Sequence, residues 1–489
     1  MSHRSYELSH PQKRIWYTEM LYPDTAFANL AGSVVFKRQE VDFQLLKKAI
    51  NWVIERHDAL RIRLMSDDNC DIRQYISDYE EKDYETIEGE LLENWMAERS
   101  STAFSLMGAD LYYFAMIKFS DGRCGYYFKY HHIICDAMTV TLLNKQIYCI
   151  YENLVNNEDV VIDTRIPSFT EFLERDKKYP AGETYAEDKA FWQREFIDIP
   201  APVNLCSCVG SMSIRAERRV LNLGEEASAA INGFCRENHT TIFRFFMSVF
   251  YIYFLRTSSY SDIVIATGHH NRIAKEERQM AGMTVSTLPI RIKVDTGMNY
   301  IELLSCITKK VTDCLSHQQY PFELLASDLR ERGSSPEGLL NIMLNHIPSL
   351  TEESYTVERY TPGFDPALYN IKINPNQLPK QAPLEIAVDY RRDAFDSAHI
   401  EGMFSRLRTL IEDIIVNPGK RLYELEIIPP EERFNLLNEF NSTRRHYPEN
   451  VCFNDFFAEQ VMKTPDNTAL VYKDRAYTYR ELDSKTNKL

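Results

Sequence analysis

The amino-acid sequence predicts a mixed α/β protein of the α+β type, divided into two lobes. Its 489 residues exceed the roughly 250–300 at which a single hydrophobic core stops growing. Helical and strand patterns alternate along the chain instead of falling into separate blocks. The helical pattern is interrupted at Pro180, Ala181 and Gly182. We therefore expect a first lobe over residues 1–178 and a second over residues 179–426.

The first lobe is predicted from two kinds of periodicity. Apolar residues at helical spacing predict helices over residues 41–57 and 138–156. Strict alternation predicts a strand at 59–64, and β-rich runs at 112–119 and 124–131 are joined by a hairpin signal, Ser120 to Arg123.

The second lobe repeats this pattern. Helices are predicted over residues 187–196, 226–238, 241–256, 300–316 and 397–416, and strands at 263–267, 288–294, 341–345 and 384–390. The last helix ends at Asn417-Pro418-Gly419, a strong helix breaker. The pattern changes after Glu426, so we expect a linker over 427–448 and a new domain beginning at 449.

Charge and composition exclude several classes of function. The 56 Lys and Arg against 71 Asp and Glu leave a net charge of −15, which disfavours nucleic acids and anionic membranes as partners. The N-terminus has no apolar segment of the signal-peptide type, and the longest apolar run, Thr241 to Leu255, contains Arg244 and is too short to span a bilayer. We expect a cytoplasmic protein with no disulfide framework. We expect no metal site either, since Cys206 and Cys208 have no partners that complete one.

The segment Tyr130 to Ala137 is the strongest candidate for chemistry, because two histidines and an aspartate follow a predicted strand. His131 and His132 end that strand, and Asp136 comes four residues after His132. An imidazole of ordinary pKa, near 6.5, can accept a proton at neutral pH. The carboxylate could hold an imidazole in one tautomer, or pair with a distant arginine and brace the turn. Spacing alone leaves two purely structural histidines equally open.

Four other segments match motifs of one family in the same order along the chain. They are Leu8 to Tyr17 (LSHPQKRIWY), Arg56 to Arg61 (RHDALR), Gly282 to Arg291 (GMTVSTLPIR) and His317 to Glu323 (HQQYPFE). With His131-His132-x-x-x-Asp136, they resemble the condensation domains of nonribosomal peptide synthetases, relatives of chloramphenicol acetyltransferase. The resemblance covers about residues 6–425. It implies two chloramphenicol-acetyltransferase-like lobes in a V-shaped pseudo-dimer, with a tunnel between them.

The resemblance also implies a role for each motif residue. His132 corresponds to the catalytic histidine that accepts a proton from the attacking amine or positions it. His131 and Asp136 correspond to structural residues, and Asp136 is expected to pair with Arg291. Alanine at position 137 replaces the family's glycine, so its methyl group is expected to narrow the tunnel or strain the turn. This departure leaves a catalytically degenerate, recruiting or gating domain as an alternative.

Two further residues are candidates for the tunnel wall. His269 begins a second double histidine at a strand end, where no aspartate lies four residues past His270. Ser286 belongs to the Gly282 to Arg291 motif, in which Thr284 and Ser286 replace the family's usual Phe and Asn.

The segment Arg14 to Asp24 resembles starter condensation domains of lipopeptide synthetases. With Met1 as the natural start, five residues before Tyr6 leave no room for an upstream carrier domain. The implied reaction transfers a fatty acyl group, carried by coenzyme A or an acyl carrier protein, to the amine of an aminoacyl thioester on a carrier-protein phosphopantetheine. No covalently bound cofactor is implied. An elongation domain with a peptidyl or aminoacyl carrier donor is the alternative.

Three related classes are less consistent with the sequence. Epimerisation domains are not normally fused directly to a downstream adenylation domain, and heterocyclisation domains replace the double histidine with aspartates. A glycerolipid acyltransferase also fits His131-x4-Asp136, but the composition and the C-terminal segment count against it. That segment, from Phe440 to Leu482, resembles the start of an adenylation domain, so a truncated adenylation domain is expected over residues 449–489.

Overall fold

The computed structural model describes residues 4–38, 40–158, 165–203, 213–346, 354–375, 383–445 and 449–489. The chain divides into two compact units, Met1–Ile428 and Pro429–Leu489. Cys206 and Cys208, and residues 446–448 of the predicted linker, lie outside the described residues.

Helices and strands alternate along the described chain, as the sequence predicts. The helices are α1 His10–Leu21, α2 Phe43–Arg56, α3 Leu92–Ser100, α4 Ala137–Val155, α5 Phe169–Lys178, α6 Tyr185–Glu195, α7 Gly224–Glu237, α8 Ile242–Thr257, α9 Tyr300–Ser316, α10 Phe322–Glu331, α11 Ser397–Val416, α12 Pro430–Phe434, α13 Phe453–Lys463 and α14 Tyr479–Thr486. The strands are β1 Ser5–Glu7, β2 Asn29–Phe36, β3 Ile62–Ser66, β4 Ile72–Ile76, β5 Thr86–Glu88, β6 Tyr112–Lys118, β7 Cys124–His131, β8 Ala216–Asn222, β9 Asp262–His269, β10 Ser286–Lys293, β11 Ile342–His346, β12 Tyr355–Tyr360, β13 Tyr369–Pro375, β14 Leu384–Arg391, β15 Thr468–Tyr472 and β16 Arg475–Thr478.

Two large mixed sheets organise the first unit. One has five strands in the order β12-β2-β7-β6-β5, and the other has six in the order β10-β9-β11-β13-β14-β8. A three-stranded sheet, β1-β4-β3, accompanies the first, and the second unit contains the hairpin β15-β16. In each large sheet, one face packs against a hydrophobic core of its own lobe.

Most predicted elements are confirmed, and one prediction is partly wrong. The helices predicted over 300–316 and 397–416 have those bounds in the structure. The predicted strand at 59–64 begins instead with a 3-10 turn, Asp58–Arg61, and becomes extended at Ile62. Ala59 and Leu60 are both completely buried within that turn, so the apolar pattern there reflects burial rather than extended chain.

The apolar run in the second half is a buried core helix, as predicted. Every residue from 245 to 254 in α8 is buried, and Thr241 caps the helix by accepting a hydrogen bond from the Arg244 amide at 3.3 Å. None of the helices among the described residues combines the length and apolar character needed to cross a membrane.

Two segments of the second half belong physically to the first lobe, which a simple division at residue 178 does not predict. Strand β12 pairs antiparallel with β2 over six residues, from Tyr355 opposite Phe36 to Tyr360 opposite Ala31. The loop between β9 and β10, residues 270–285, places Met283 and its neighbours in the hydrophobic core of the first lobe. We call residues 270–285 the covering loop. Strand β12 and the covering loop therefore connect the two lobes, which share the interior between them.

Candidate active site

The histidine motif occupies the turn between β7 and α4. All eight residues of β7 are buried, and its last residue, His131, pairs with Asn29 of β2. Asp136 then ends the turn as the N-cap of α4, where its carboxylate accepts a hydrogen bond from the Thr139 amide at 2.8 Å. Asp is a favoured N-cap because its carboxylate satisfies an amide at the helix start. The local sequence therefore dictates the turn that presents His132.

Asp136 forms a buried ion pair with Arg272 of the covering loop. Arg272 donates from Nη1 to Asp136 Oδ2 at 2.9 Å and from Nη2 to Oδ1 at 3.2 Å, and both side chains are fully buried. Thr284 donates to Asp136 Oδ2 from its amide and its hydroxyl, both at 3.2 Å. Burial alone would raise the pKa of Asp136, but Arg272 and the Thr139 hydrogen bonds lower it below its usual value.

The predicted pairing of Asp136 with Arg291 is therefore wrong. Arg291 donates instead to Asp262 Oδ2 at 2.6 Å and to Asp198 Oδ1 at 2.9 Å. It lies five residues further along β10 than Ser286, a distance of roughly 17 Å in extended chain. The guanidinium of Arg291 therefore lies far from the histidine turn, and its ion pairs stabilise the other end of β10.

The covering loop needs glycine at one position to reach Asp136. Gly282 has a φ of +148°, and a Cβ there would lie 2.2 Å from the ring of Phe169. Its carbonyl accepts hydrogen bonds from Thr139 Oγ1 at 2.9 Å and from Arg272 Nη2 at 3.3 Å. The glycine of the Gly282 to Arg291 motif thus lets the loop pack closely over the turn.

His131 is buried and makes two structural hydrogen bonds. Its Nδ1 accepts from the Ile133 amide at 3.2 Å, so its Nε2 carries the proton and donates to Glu19 Oε1 at 3.0 Å. The ring of Phe104 packs edge-on against it, with centroids 5.9 Å apart. Glu19, on α1, is a partner that sequence reasoning missed, although it lies within the segment compared with starter domains.

His132 presents an imidazole that is neutral at physiological pH. Its amide donates to the Ala28 carbonyl at 2.7 Å, which anchors the residue to the start of β2. Burial, together with the nearby Arg14, lowers the pKa of His132 to about 4. Its Nδ1 is buried and has no hydrogen-bond partner among the described residues. A neutral imidazole keeps one unprotonated nitrogen, so the ring can accept a hydrogen bond or a proton.

Helix α1 supports the turn from the other side. Gln12 Nε2 donates to the Ile133 carbonyl at 3.1 Å, and Arg14 Nε lies 3.8 Å from Glu323 Oε1 of α10. The first and last motifs of the resemblance, Leu8 to Tyr17 and His317 to Glu323, therefore meet beside His132. Chain order alone does not predict this contact.

One large cavity, of about 1780 Å³, lies between the two lobes with His132 in its wall. Helices α1 and α4 and strand β2 line one side, and strands of the six-stranded sheet line the other. His269 lies on the cavity wall, where burial lowers its pKa to about 4. Ser286 lines a small neighbouring pocket instead, and its hydroxyl is buried without a partner among the described residues.

Ala137 lines the cavity without straining the turn. It is the first residue of α4, and its backbone does not adopt the left-handed conformation that requires glycine. The sequence predicts that Ala137 narrows the tunnel or strains the turn, and the prediction of strain is therefore wrong. The methyl group is left to occupy space at the cavity wall.

The described residues contain no group of three His, Cys, Asp or Glu side chains placed to hold a metal ion.

Two histidines of the other motifs make structural contacts. His57 Nε2 lies 2.6 Å from Gln146 Oε1, and His317 Nδ1 lies 2.7 Å from Asp188 Oδ1.

Comparison with known proteins identifies the family. A model of the condensation domain matches residues 2–437. One of the plipastatin synthase subunits of Bacillus subtilis is 28% identical over 100% of this chain and 19% of its own length. Surfactin synthase subunit 1 of the same organism is 30% identical over 99% of this chain and 14% of its own length. This chain therefore spans about a fifth or less of these curated relatives.

Solved structures confirm the predicted fold class. The first condensation domain of the CDA synthetase has a TM-score of 0.77 at 17% identity, covering 87% of this chain and 99% of that one. A doubly substituted starter condensation domain of rhizomide synthetase, in complex with C8-CoA, has a TM-score of 0.74 at 21% identity, covering 86% of this chain and 97% of that one.

Proposed function

The chain belongs to the condensation-domain family of amide-bond-forming acyltransferases, and from that premise we propose that His132 acts at the reacting centre of an N-acylation. The proposed donor is a fatty acyl group on coenzyme A, and the proposed acceptor is the amine of an aminoacyl thioester on a peptidyl carrier domain. The observation that carries the proposal is the cavity shared by both lobes, with His132 in its wall.

The proposed reaction balances around one proton. The amine nitrogen attacks the thioester carbonyl, the C–N bond forms, the C–S bond breaks, and the thiol leaves with the proton that the amine loses. His132 accepts a hydrogen bond from the amine and takes its proton as the C–N bond forms, when the nitrogen becomes strongly acidic. Because the pKa of His132 is only about 4, its imidazole is a weak base. We therefore attribute most of the rate enhancement to alignment of the two substrates in the cavity.

Apolar side chains on the cavity lining support an acyl donor. They come from α8, α9, α10 and β10, where they also pack in or against the core of the second lobe: Phe243, Leu288, Ile290, Val311, Leu315 and Phe322. A fatty acyl chain gains about 0.8 kcal/mol for each methylene that it buries against such a surface. A peptidyl donor, with its amides, would leave hydrogen-bonding groups unsatisfied there.

The comparisons also support the starter assignment. One similar solved structure is a starter condensation domain bound to C8-CoA, and the relatives include plipastatin and surfactin synthase subunits. The alignment with the plipastatin synthase includes the C-terminal unit of this chain. We accordingly propose that residues 449–489 begin an adenylation domain, after condensation lobes at 1–178 and 179–426 and a linker at 427–448.

The deciding experiment offers the protein three donors. The protein is incubated with fatty acyl-CoA, with the same acyl group on an acyl carrier protein, or with a peptidyl group on a carrier domain, each together with an aminoacyl-loaded peptidyl carrier, and N-acylated product is measured by mass spectrometry. Product from acyl-CoA is expected. Product from a peptidyl carrier donor alone would replace the starter assignment with an elongation domain. Absence of product with every donor would establish a degenerate domain.

His132 is tested in the same assay. Replacing His132 with Ala should lower the rate of product formation by about 100-fold or more, because the amine loses its proton acceptor. Arg392→Ala, at an exposed turn in the second lobe, provides a control that should keep the wild-type rate. Undiminished product from His132→Ala would remove this residue from the mechanism.

A further inference from the structure

Arg14 of α1 brings a guanidinium to the cavity wall beside His132. Both side chains line the same cavity, and the positive charge of Arg14 lies close enough to lower the pKa of His132. Helix α1 is held in this place by Gln12, which donates to the Ile133 carbonyl at 3.1 Å. The contacts that fix the histidine turn therefore also fix the position of Arg14.

The N–H donors of Arg14 are not used by the described part of the chain. A guanidinium has five such donors. The nearest acidic partner is Glu323, whose Oε1 lies 3.8 Å from Arg14 Nε, which is beyond hydrogen-bonding distance. The Arg14 side chain makes no hydrogen bond to any described residue, and 23% of its surface is exposed. Its donors are therefore available to a molecule in the cavity.

Arg14 remains a cation in this environment. Burial lowers its pKa below the ordinary value, but a guanidinium starts from so high a pKa that it stays protonated in proteins. Burial also raises the pKa of Glu323 above the usual range of a carboxyl group. A substrate oxygen that becomes negative beside His132 would therefore meet a charged group with free donors.

The other charged groups that act on His132 are already committed. They are His131, whose two ring nitrogens are both hydrogen-bonded, and Asp136, a carboxylate that is fully buried in its own ion pair. Neither can donate to a negative oxygen in the cavity. Among the described groups whose charges reach His132, this leaves the guanidinium of Arg14.

We propose that Arg14 binds the carbonyl oxygen of the donor thioester and stabilises the negative charge that this oxygen acquires in the transition state. This inference rests on the proposed N-acylation. As the amine nitrogen attacks, the π electron pair of the carbonyl moves onto its oxygen. When the oxyanion collapses, that pair forms the carbonyl again, the C–S bond breaks, and its electron pair leaves with the sulfur.

The guanidinium suits this role because it binds the oxyanion more tightly than the uncharged carbonyl. Hydrogen bonds between two charged groups are shorter and stronger than those to a neutral acceptor. Only an interaction that strengthens in the transition state accelerates the chemical step. His132 and Arg14 then serve the two groups whose charge changes, the amine and the carbonyl.

The test uses a stable anion with the tetrahedral shape of the intermediate. In a fatty phosphonamidate of an aminoacyl-pantetheine, a phosphorus atom replaces the reacting carbonyl carbon and carries one negative charge on oxygen. Its methyl ester has a similar shape without the charge. Calorimetry measures the Kd of both compounds for the wild-type protein. We expect the anion to bind about 100-fold more tightly than the ester.

Replacing Arg14 with Met should remove that preference. The two Kd values should come within about threefold, and kcat should fall by about 100-fold or more with little change in KM. Glu323→Gln should keep a preference of at least about tenfold, because the donors of Arg14 remain. Lys145→Met removes an exposed cation elsewhere on the cavity lining and should keep both the preference and kcat.

A double variant covers the case in which Arg14→Met does not fold, which thermal unfolding reveals. Arg14→Met leaves the Glu323 carboxyl without its cation. Arg14→Met combined with Glu323→Gln removes both charges and so avoids that cost. Measured against Glu323→Gln alone, the double variant should show the same loss of preference as Arg14→Met.

The outcomes separate this inference from the proposed function. Product from the wild-type protein together with equal Kd values for anion and ester overturns the inference and leaves the N-acylation intact. A preference that survives in Arg14→Met or in the double variant also overturns it, because another group then binds the oxygen. No product from any donor overturns the proposed function and this inference with it.

Discussion

The two lobes contain the same strand-turn-helix unit, and only one of them is covered. In the first lobe, β7 ends at His131 and α4 begins after Asp136; in the second, β14 ends at Arg391 and α11 begins after Asp396. Both aspartates are N-caps, and Asp396 accepts from the His399 amide at 2.8 Å, the distance that Asp136 has to Thr139. The two turns have equal length and share this cap.

The difference lies in what covers each turn. Asp136 is fully buried under the covering loop and paired with Arg272, whereas Asp396 is exposed and has no covering arginine among the described residues. Arg391 of the second turn pairs with Asp393 within the turn itself. The aspartate is thus a helix cap in both lobes. The covering loop from the second lobe converts the first-lobe turn into a buried site.

The largest expected difference concerns the two caps. Replacing Asp136 with Ala leaves the Arg272 charge buried without its partner and should lower the free energy of unfolding by about 3–5 kcal/mol. Asp396→Ala removes only an exposed cap and should cost about 1 kcal/mol. Denaturant unfolding of the two variants measures both values. Equal losses would contradict the assignment of the covering loop as the source of the difference.

A double variant isolates the ion pair from the cap. Asp136→Leu with Arg272→Met removes both charges, so stability should exceed that of Asp136→Ala. Product formation should stay well below wild type, because the turn that presents His132 loses its cap and its link to the covering loop. Full recovery of product would show that the pair is dispensable for the site.

Titration of two imidazoles compares the same position in each turn. Arg392→His places an imidazole at the exposed position equivalent to His132, where its pKa should be near 6.5. His132 should titrate at about 4. Because the unfolded chain binds the proton first, His132 should lower stability as pH falls from about 6.5 to about 4. NMR of labelled histidines measures both pKa values. Similar pKa values for the two imidazoles would contradict the conclusion that burial lowers the pKa of His132.

The Glu19 contact should contribute less than the ion pair. Glu19→Ala leaves the buried Nε2 of His131 without an acceptor and should lower the free energy of unfolding by about 1–3 kcal/mol. Glu19→Gln keeps an acceptor and should recover most of that loss. If Glu19 positions the turn, kcat should fall in the Ala variant with little change in KM, and Gln should restore it. A stability loss without a change in kcat would limit Glu19 to packing.

The smallest effect is expected at the first helical residue of each turn. Ala137→Gly and Ser397→Gly should each lower the free energy of unfolding by at most about 1 kcal/mol, because glycine is more flexible in the unfolded chain. Only Ala137 lines the cavity, so only Ala137→Gly should change the range of acyl chain lengths accepted. Mass spectrometry with a series of acyl-CoA donors compares the two variants.

Local patterns in the sequence predict most of the fold and the position of His132. The strand and helix on either side of the turn follow from their periodicity, and the cap follows from the chemistry of Asp136. The ion-pair partner of Asp136 could not be predicted from local patterns. The Gly282 to Arg291 motif indicates that its residues follow one another along β10, but it does not indicate which end of that strand lies next to the histidine turn. Arg272 had a signal, since it closely follows the second double histidine.

The pairing of strands that lie far apart in the sequence could not be predicted either. Strand β12 has an alternating pattern, but nothing in six residues states that its partner, β2, lies more than 300 residues earlier. Glu19 was missed for a related reason: a glutamate on an amphipathic helix is usually exposed, and only the packed structure shows it buried against His131.

The pairing of β12 with β2 has a consequence for synthesis of the chain. Until residues 355–360 leave the ribosome, β2 is the unpaired edge of the first-lobe sheet, with its amides and carbonyls available to other chains. Domains generally fold from the N-terminus as they emerge, at about 5–20 residues per second. Some 320 residues separate the two strands, so this edge stays open for about 15–60 seconds at those rates. A nascent first lobe should therefore need a chaperone, and a first-lobe fragment expressed alone should aggregate through β2.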